Sequence, residues 1–311
     1  MNVPPIAYFK PLETAWNKMK NLLFRPFDLT RWLAIGFTAW LATLGEQGGS
    51  FNFHDVHHRP DVGAFVHEHM VLIITLGSIA AALILVLALV LVWLSARGEF
   101  MFLDNCLTGV ARVAEPWQRW RRQGNSLFIW RMVYGCVILA VCVVLAGLCV
   151  ALAWPDIRAR VWGGRAIAAV VAGGLLLLLL SLVIGYVRIF LSDFVVVLMR
   201  RHELKTSAAW QIFLRLFRTQ PGPFLLYGLL RFAVGLLIFT AVFLAGCLTC
   251  CCGFLMLAIP YVGTVLLLPL PVWQRYWGVE FLRQFGPDYD AWRLDPPALP
   301  PTSARPTSIA P

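Results

Sequence analysis

Residues 70–96 read MVLIITLGSIAAALILVLALVLVWLSA, without one charged side chain. A bilayer core about 30 Å thick is crossed by roughly 20 apolar residues in α-helix. Only a helix or a closed barrel satisfies its own backbone polar groups there, and unbroken rather than alternating apolarity means helix. This run therefore predicts a membrane-spanning helix. Three more runs of the same kind follow it: 127–154, broken only by Arg131; 166–187, with Leu175 to Leu180 at its centre; and 223–248, broken only by Arg231.

Two weaker runs complete the pattern. Residues 29–45 are short and carry Arg31, so a crossing there requires tilt or local thinning of the bilayer. Residues 254–273 carry Pro260, Pro269 and Pro271, which should kink or break the helix. Six spans make residues 1–285 a polytopic, all-α integral membrane domain. The tail, 286–311, rich in Pro, Ser and Thr, reads as disordered.

Composition agrees. The chain of 311 residues is 59% hydrophobic and only 14% charged, where a soluble domain carries about 25% charged residues. The net charge of +10 comes from basic residues flanking the apolar runs. That placement points to orientation and to anionic lipid as partner, and away from nucleic acid. With the N-terminus inside, loops 46–69, 155–165 and 246–253 face outward and hold only Arg59, Arg158, Arg160 and Arg165 of the 26 Lys and Arg. This asymmetry predicts a multi-pass protein of the inner (plasma) membrane with both termini cytoplasmic. No cleavable signal peptide is legible near the start, so the first span is expected to act as an uncleaved insertion signal.

Three spans follow similar preludes. Leu12, Ala15, Trp16, Met19 and Leu22 form a helical stripe that ends at Arg25-Pro26. Residues 116–122 set Trp117 and Trp120 among Arg119, Arg121 and Arg122, with Gly124 as the expected breaker. Residues 204–217 hold Trp210 and end at Pro221-Gly222-Pro223. Each reads as an interfacial amphipathic helix. The chain thus divides into three parallel units of interfacial helix, span, outer loop and span. Beyond Arg97 and Arg188 the apolar pattern continues, so the second helix of the first two units is expected to project past the inner face.

Ala15-Trp16, Leu23-Phe24-Arg25-Pro26-Phe27 and Trp32 resemble the opening of an uncharacterised prokaryotic family of multi-pass membrane proteins. Pro260-Tyr261-Val262-Gly263, Pro269, Arg275-Tyr276 and Phe285-Gly286-Pro287 resemble its last helix and exit. That family is similar to the membrane domain that accompanies some glycerophosphoryl diester phosphodiesterases. The resemblance implies a six-span helical domain and no activity, because the phosphodiesterase catalytic pattern is absent.

Arg97, Asp104, Arg188, Asp193 and Arg231, with Glu99 beside them, lie at the inner membrane boundary. Charges at such depth are costly and usually paired. Cross-unit pairs such as Arg188 with Asp104 or Arg231 with Asp193 would either lock the bundle or line a polar cavity. His54, His57, His58, His67 and His69 crowd one outer loop and offer imidazoles to a metal or to pH sensing. Their spacing matches no closed four-ligand site, so a solvated, Gly-rich loop of biased composition is the simpler reading, and no resident cofactor is implied. Cys247, Cys250, Cys251 and Cys252 read as small apolar residues at a turn, or as a disulfide or metal site. Arg119, Arg121, Arg122, Arg200, Arg201 and Lys205 form a basic surface for anionic headgroups at about 1 kcal/mol each. No nucleophile motif, phosphate loop or zinc-helix signature appears. The sequence thus supports a non-enzymatic structural, regulatory or lipid-associated membrane protein. The alternatives are a carrier or channel between the repeats, and a metal- or pH-responsive sensor.

Overall fold

The computed structural model describes residues 6–44, 70–159, 161, 163–249, 252–259 and 261–292. It is 88% helical and has no strand among the described residues. Helix α1 (Phe9–Phe24) buries Ala15, Met19 and Leu22 at spacings of four and three, one apolar face. Helix α2 (Leu29–Thr43) starts where Asp28 accepts the Thr30 amide at 2.9 Å. Then come α3 (Met70–Thr108), α4 (Ala114–Arg119), α5 (Arg121–Ala159) and α6 (Gly164–Phe190). A π-helical turn (Leu191–Val195) joins α6 to α7 (Val196–His202), so Gly164 to His202 forms one rod. Next are α8 (Thr206–Thr219) and α9 (Pro221–Leu248), which opens on proline, whose missing N–H costs nothing there. Last are α10 (Cys252–Ala258), α11 (Val262–Leu266), α12 (Pro269–Arg283) and a 3-10 turn (Pro287–Tyr289).

Four helices are long and apolar enough to cross a membrane: α3, α5, the rod from Gly164 to His202, and α9. The two weaker runs take other forms. Helix α2 has 15 residues, about 22 Å of helix against a bilayer core of about 30 Å. The expected last span is divided into α10, α11 and α12, the third beginning at Pro269, which cannot donate to a preceding turn.

The packed core lies at one end of the long helices. It joins α1, α2, residues 96–106 of α3, residues 190–199, α8, the start of α9 and α12. The apolar stretches of the long helices stand away from this base. Only 6% to 11% of the most apolar window of each is buried. Such a surface would not remain uncovered in water; hydrocarbon is the solvent that fits it.

Helix α3 and the rod from Gly164 to His202 do continue past Arg97 and Arg188, and their extensions are the centre of the base. Helix α2 packs along that part of α3. Ser95 Oγ donates to Ala42 O at 2.6 Å, and Arg31 Nη2 donates to Gly109 O at 2.6 Å. Gly98 marks the closest approach, for a Cβ there would lie 2.7 Å from Ala42 N and from Leu41 C. Backbone cannot rotate aside, so Gly98→Ala is expected to cost about 1–3 kcal/mol by overpacking. Thermal unfolding in detergent reads this directly; an unshifted midpoint would mean the two helices are not in contact.

Two boundaries differ from the sequence reading. Gly124 does not break the second prelude; the chain breaks at Trp120, and Gly124 lies inside α5. It is small because Arg97 crosses it, with Cγ 2.9 Å from where a Cβ would stand. Residues 286–292 also belong to the base rather than to a tail. Trp292 stacks on Tyr276 at 5.8 Å, donates to Glu280 Oε1 at 3.0 Å, and lies under Lys18 Nζ at 3.6 Å.

Candidate functional site

Where the base meets the apolar helices there is a cavity of about 500 Å³. Its polar wall is made by Glu99 of α3, Arg188, Ser192 and Asp193 of the rod, Arg231 of α9, and Gln274 and Arg275 of α12. Its apolar wall includes Phe232, Leu236 and Phe239, each more than half exposed on the outer surface of α9. The cavity is thus ionic on one side and open to the hydrocarbon-facing surface on the other.

The charges are tied together. Glu99, whose side chain is only 4% exposed, pairs with Arg131 of α5 and with Arg275 of α12, the latter at 3.4 Å. Arg275 also donates to Ser192 O at 2.7 Å. Asp193 accepts from Arg231 Nε at 3.2 Å and from the Tyr227 hydroxyl at 2.8 Å. Arg231 Nη2 donates to Gln274 Oε1 at 2.9 Å. Asp193 sits in the π-helical turn, a local widening of the helix that recurs at functional sites. Gly278 of α12 permits the close approach there, since a Cβ would stand 2.8 Å from Asp193 Cβ.

Of the five boundary charges expected from the sequence, Arg188, Asp193 and Arg231 line this cavity, with Glu99. The pair Arg231–Asp193 is present; Asp104 is instead held by Arg200 at 2.8 Å. Arg97 points elsewhere, bonded to Asn125 Oδ1 and stacked over Trp93 and Trp117. Arg131, Gln274 and Arg275 were not among the expected site residues. Arg131 had a signal, since it is, like Arg231, the lone charge in an apolar run. Arg275 had only its place among the residues of the resemblance, because its helix carries mixed composition.

Of the basic surface, Arg119, Arg121, Arg122 and Lys205 are exposed. Arg200 and Arg201 are buried at 2% and 7% exposure, Arg200 turned onto Asp104 and away from lipid. His54, His57, His58, His67 and His69 lie outside the described residues, as do Cys250 and Cys251. Cys247 is an exposed free thiol. No group of three or more His, Cys, Asp or Glu side chains among the described residues is placed to hold a metal.

Fold and site together define a class, a polytopic helical membrane protein with an ionic cavity at one end of its apolar helices. Within that class, residues 7–290 match a family of unknown function (DUF7544), and the chain belongs to that family. No curated protein and no solved structure matches the chain.

Proposed function

We propose that this is a lipid-associated membrane protein whose cavity takes the polar head of an amphiphile while the chain lies along Phe232, Leu236 and Phe239. The observation that carries this reading is the two-sided lining, ionic at Glu99, Arg188, Asp193, Arg231 and Arg275 and apolar toward the exposed face of α9. A soluble solute has no use for that open apolar wall, whereas a headgroup with acyl chains matches both halves.

Six crossings and cytoplasmic termini belong to the same proposal, with α2 and the broken α10–α12 segment as the first and last crossings. The positive-inside bias supports this orientation, placing the base at the cytoplasmic leaflet. Exposed Trp16 and Phe24 on α1 support the interfacial, amphipathic reading of the preludes. The three-unit reading gains support from a repeated acid-Phe pair: Glu99-Phe100, Asp193-Phe194 and Glu280-Phe281, all buried in the base. Arg131 and Arg231, at the same offset into α5 and α9, each pair with the acid of the preceding unit. The kinship with the phosphodiesterase-associated membrane domain is an architectural proposal, supported by the residues that carry the resemblance.

Mass spectrometry of protein purified in mild detergent tests the lipid reading. Retained lipid is expected, and Arg231→Gln is expected to lower its occupancy. Protein that carries no lipid, or a folded Arg231→Gln variant with unchanged occupancy, would refute it. The cavity's position between the three units favours a carrier as second reading, for which solute flux into proteoliposomes is the test.

A further inference from the structure

Gln274 stands where the two walls of the cavity meet. On α12 the lining runs from Pro271 through Gln274 to Arg275, and the helix then enters the packed base at Tyr276 and Trp277. On α9 it runs from Arg231 to Phe232, Gly235, Leu236 and Phe239. Arg231 is the one polar side chain that α9 gives to the cavity, and Gln274 is bonded to it at 2.9 Å. The next turn of each helix, at Pro271 and at Gly235, is apolar. Gly235 also leaves room there, since a Cβ would meet nothing within 4 Å.

Chemistry fixes the orientation of the amide. A guanidinium only donates, so the atom of Gln274 that faces Arg231 is the carbonyl oxygen. The amide nitrogen is left over, and it has no acceptor among the described residues. It is not enclosed either, so it faces open space, and the space that Gln274 lines is the cavity. An uncharged N–H donor is thereby held at the border between the ionic and the apolar wall.

A glycerolipid carries uncharged acceptors at the same border, the ester carbonyls between its headgroup and its chains. Once a lipid fills the cavity, water leaves Gln274, and an amide N–H left there without an acceptor is costly. We infer that Gln274 Nε2 donates to an ester carbonyl, so that the cavity distinguishes ester-linked from ether-linked lipid. This rests on the amphiphile reading above and adds the linkage chemistry of the ligand to it. Arg231 acts here as a positioning residue, because it holds the carbonyl arm of the amide. A site built around a hydrogen bond rejects the analogue that cannot complete it, whereas the apolar wall treats chains of equal length alike.

The test uses the full chain in detergent, stripped of co-purified lipid and offered equal amounts of dioleoyl phosphatidylcholine and its diether analogue. The analogue has the same headgroup and chains but no carbonyl. Native mass spectrometry reads the ratio of the two bound lipids. Wild-type protein is expected to prefer the diester about five-fold, the worth of one hydrogen bond. Gln274→Met removes the donor at nearly the same length and is expected to bring the ratio to one by weakening the diester alone. Gln274→Glu keeps an oxygen for Arg231 and, once ionised, has no proton to donate. The ratio should fall there in the same way, which keeps the test decisive if the Met variant does not fold. A purely structural role of Gln274 would weaken both lipids together and leave their ratio unmoved.

A ratio of one in the wild type, with both lipids bound, would overturn the inference and leave the amphiphile reading standing. A preference that survives in a folded Gln274→Met or Gln274→Glu variant would place the carbonyl elsewhere and overturn it as well, whether or not both lipids bind more weakly. No lipid of either kind on the wild type would overturn both.

Discussion

Glu99→Ala is expected to destabilise the protein by about 3–5 kcal/mol, the cost of breaking a buried ion pair from one side. Glu99 is 3% exposed and is the carboxylate shared by Arg131 and Arg275. Removing it leaves two guanidinium groups facing each other with no anion between them. The loss should be smaller in Glu99→Gln, which keeps an acceptor oxygen. It should be partly recovered in Glu99→Ala combined with Arg131→Leu, because the second change removes the orphaned cation. Unfolding in detergent against denaturant measures all three variants. If Glu99→Ala melted with the wild type, the two arginines would have another counter-ion, and the ionic cluster would not be what closes α3 on α5 and α12.

Phe281→Ala is expected to cost a similar amount, about 3–5 kcal/mol, through lost burial and the cavity left behind. Phe281 is fully buried. Its ring meets Tyr227 at 4.5 Å, Phe285 at 5.6 Å, Phe224 at 5.9 Å, Phe194 at 6.0 Å and Tyr8 at 6.2 Å. These neighbours come from α9, the π-helical turn, the chain before α1 and the chain just after α12, so one ring holds the last helix to the rest of the base. Phe232→Ala is the matched control. Phe232 is 62% exposed on the lipid-facing side of α9, and its loss should move the midpoint little. Equal effects of the two substitutions would mean that the base is not the stable core and that the apolar helices carry the fold.

The contrast between these two phenylalanines explains what was legible in the sequence. Both sit in apolar surroundings, and hydropathy alone does not tell a ring that faces lipid from one that faces protein. In a soluble protein, polar residues mark the outer face of a helix. In hydrocarbon that mark is erased, because lipid is as apolar as a core side chain. The lone charges in apolar runs were the informative exceptions. Arg231 and Asp193 were legible as a pair because a charge in apolar surroundings is costly unless it is paired. Arg275 and Gln274 were not, because α12 holds Trp273, Tyr276 and Trp277 beside its polar residues, and such a mixture has no periodicity that names its buried face. Arg200 misled for a related reason: next to Arg201 and before His202 it reads as a basic surface run, yet Asp104, distant in the chain, draws it inward.

The sequence by itself determined the helical class, the four long apolar helices and the continuation of two of them past their arginines. These follow from local quantities: run length against bilayer thickness, and the intrasegment hydrogen bonding that hydrocarbon demands. Residues 70–96 carried the first step of that argument, and the runs 127–154, 166–187 and 223–248 repeated it. Only the tertiary structure decided that the extensions beyond Arg97 and Arg188 are the most buried part of the molecule and that Glu99 is shared between α5 and α12. It also decided that an ionic cavity opens where the base ends. Those facts depend on which helices meet and at what height. Meeting is set by close approaches such as Gly98 on α2 and Gly278 on Asp193, which no pattern along one chain segment records.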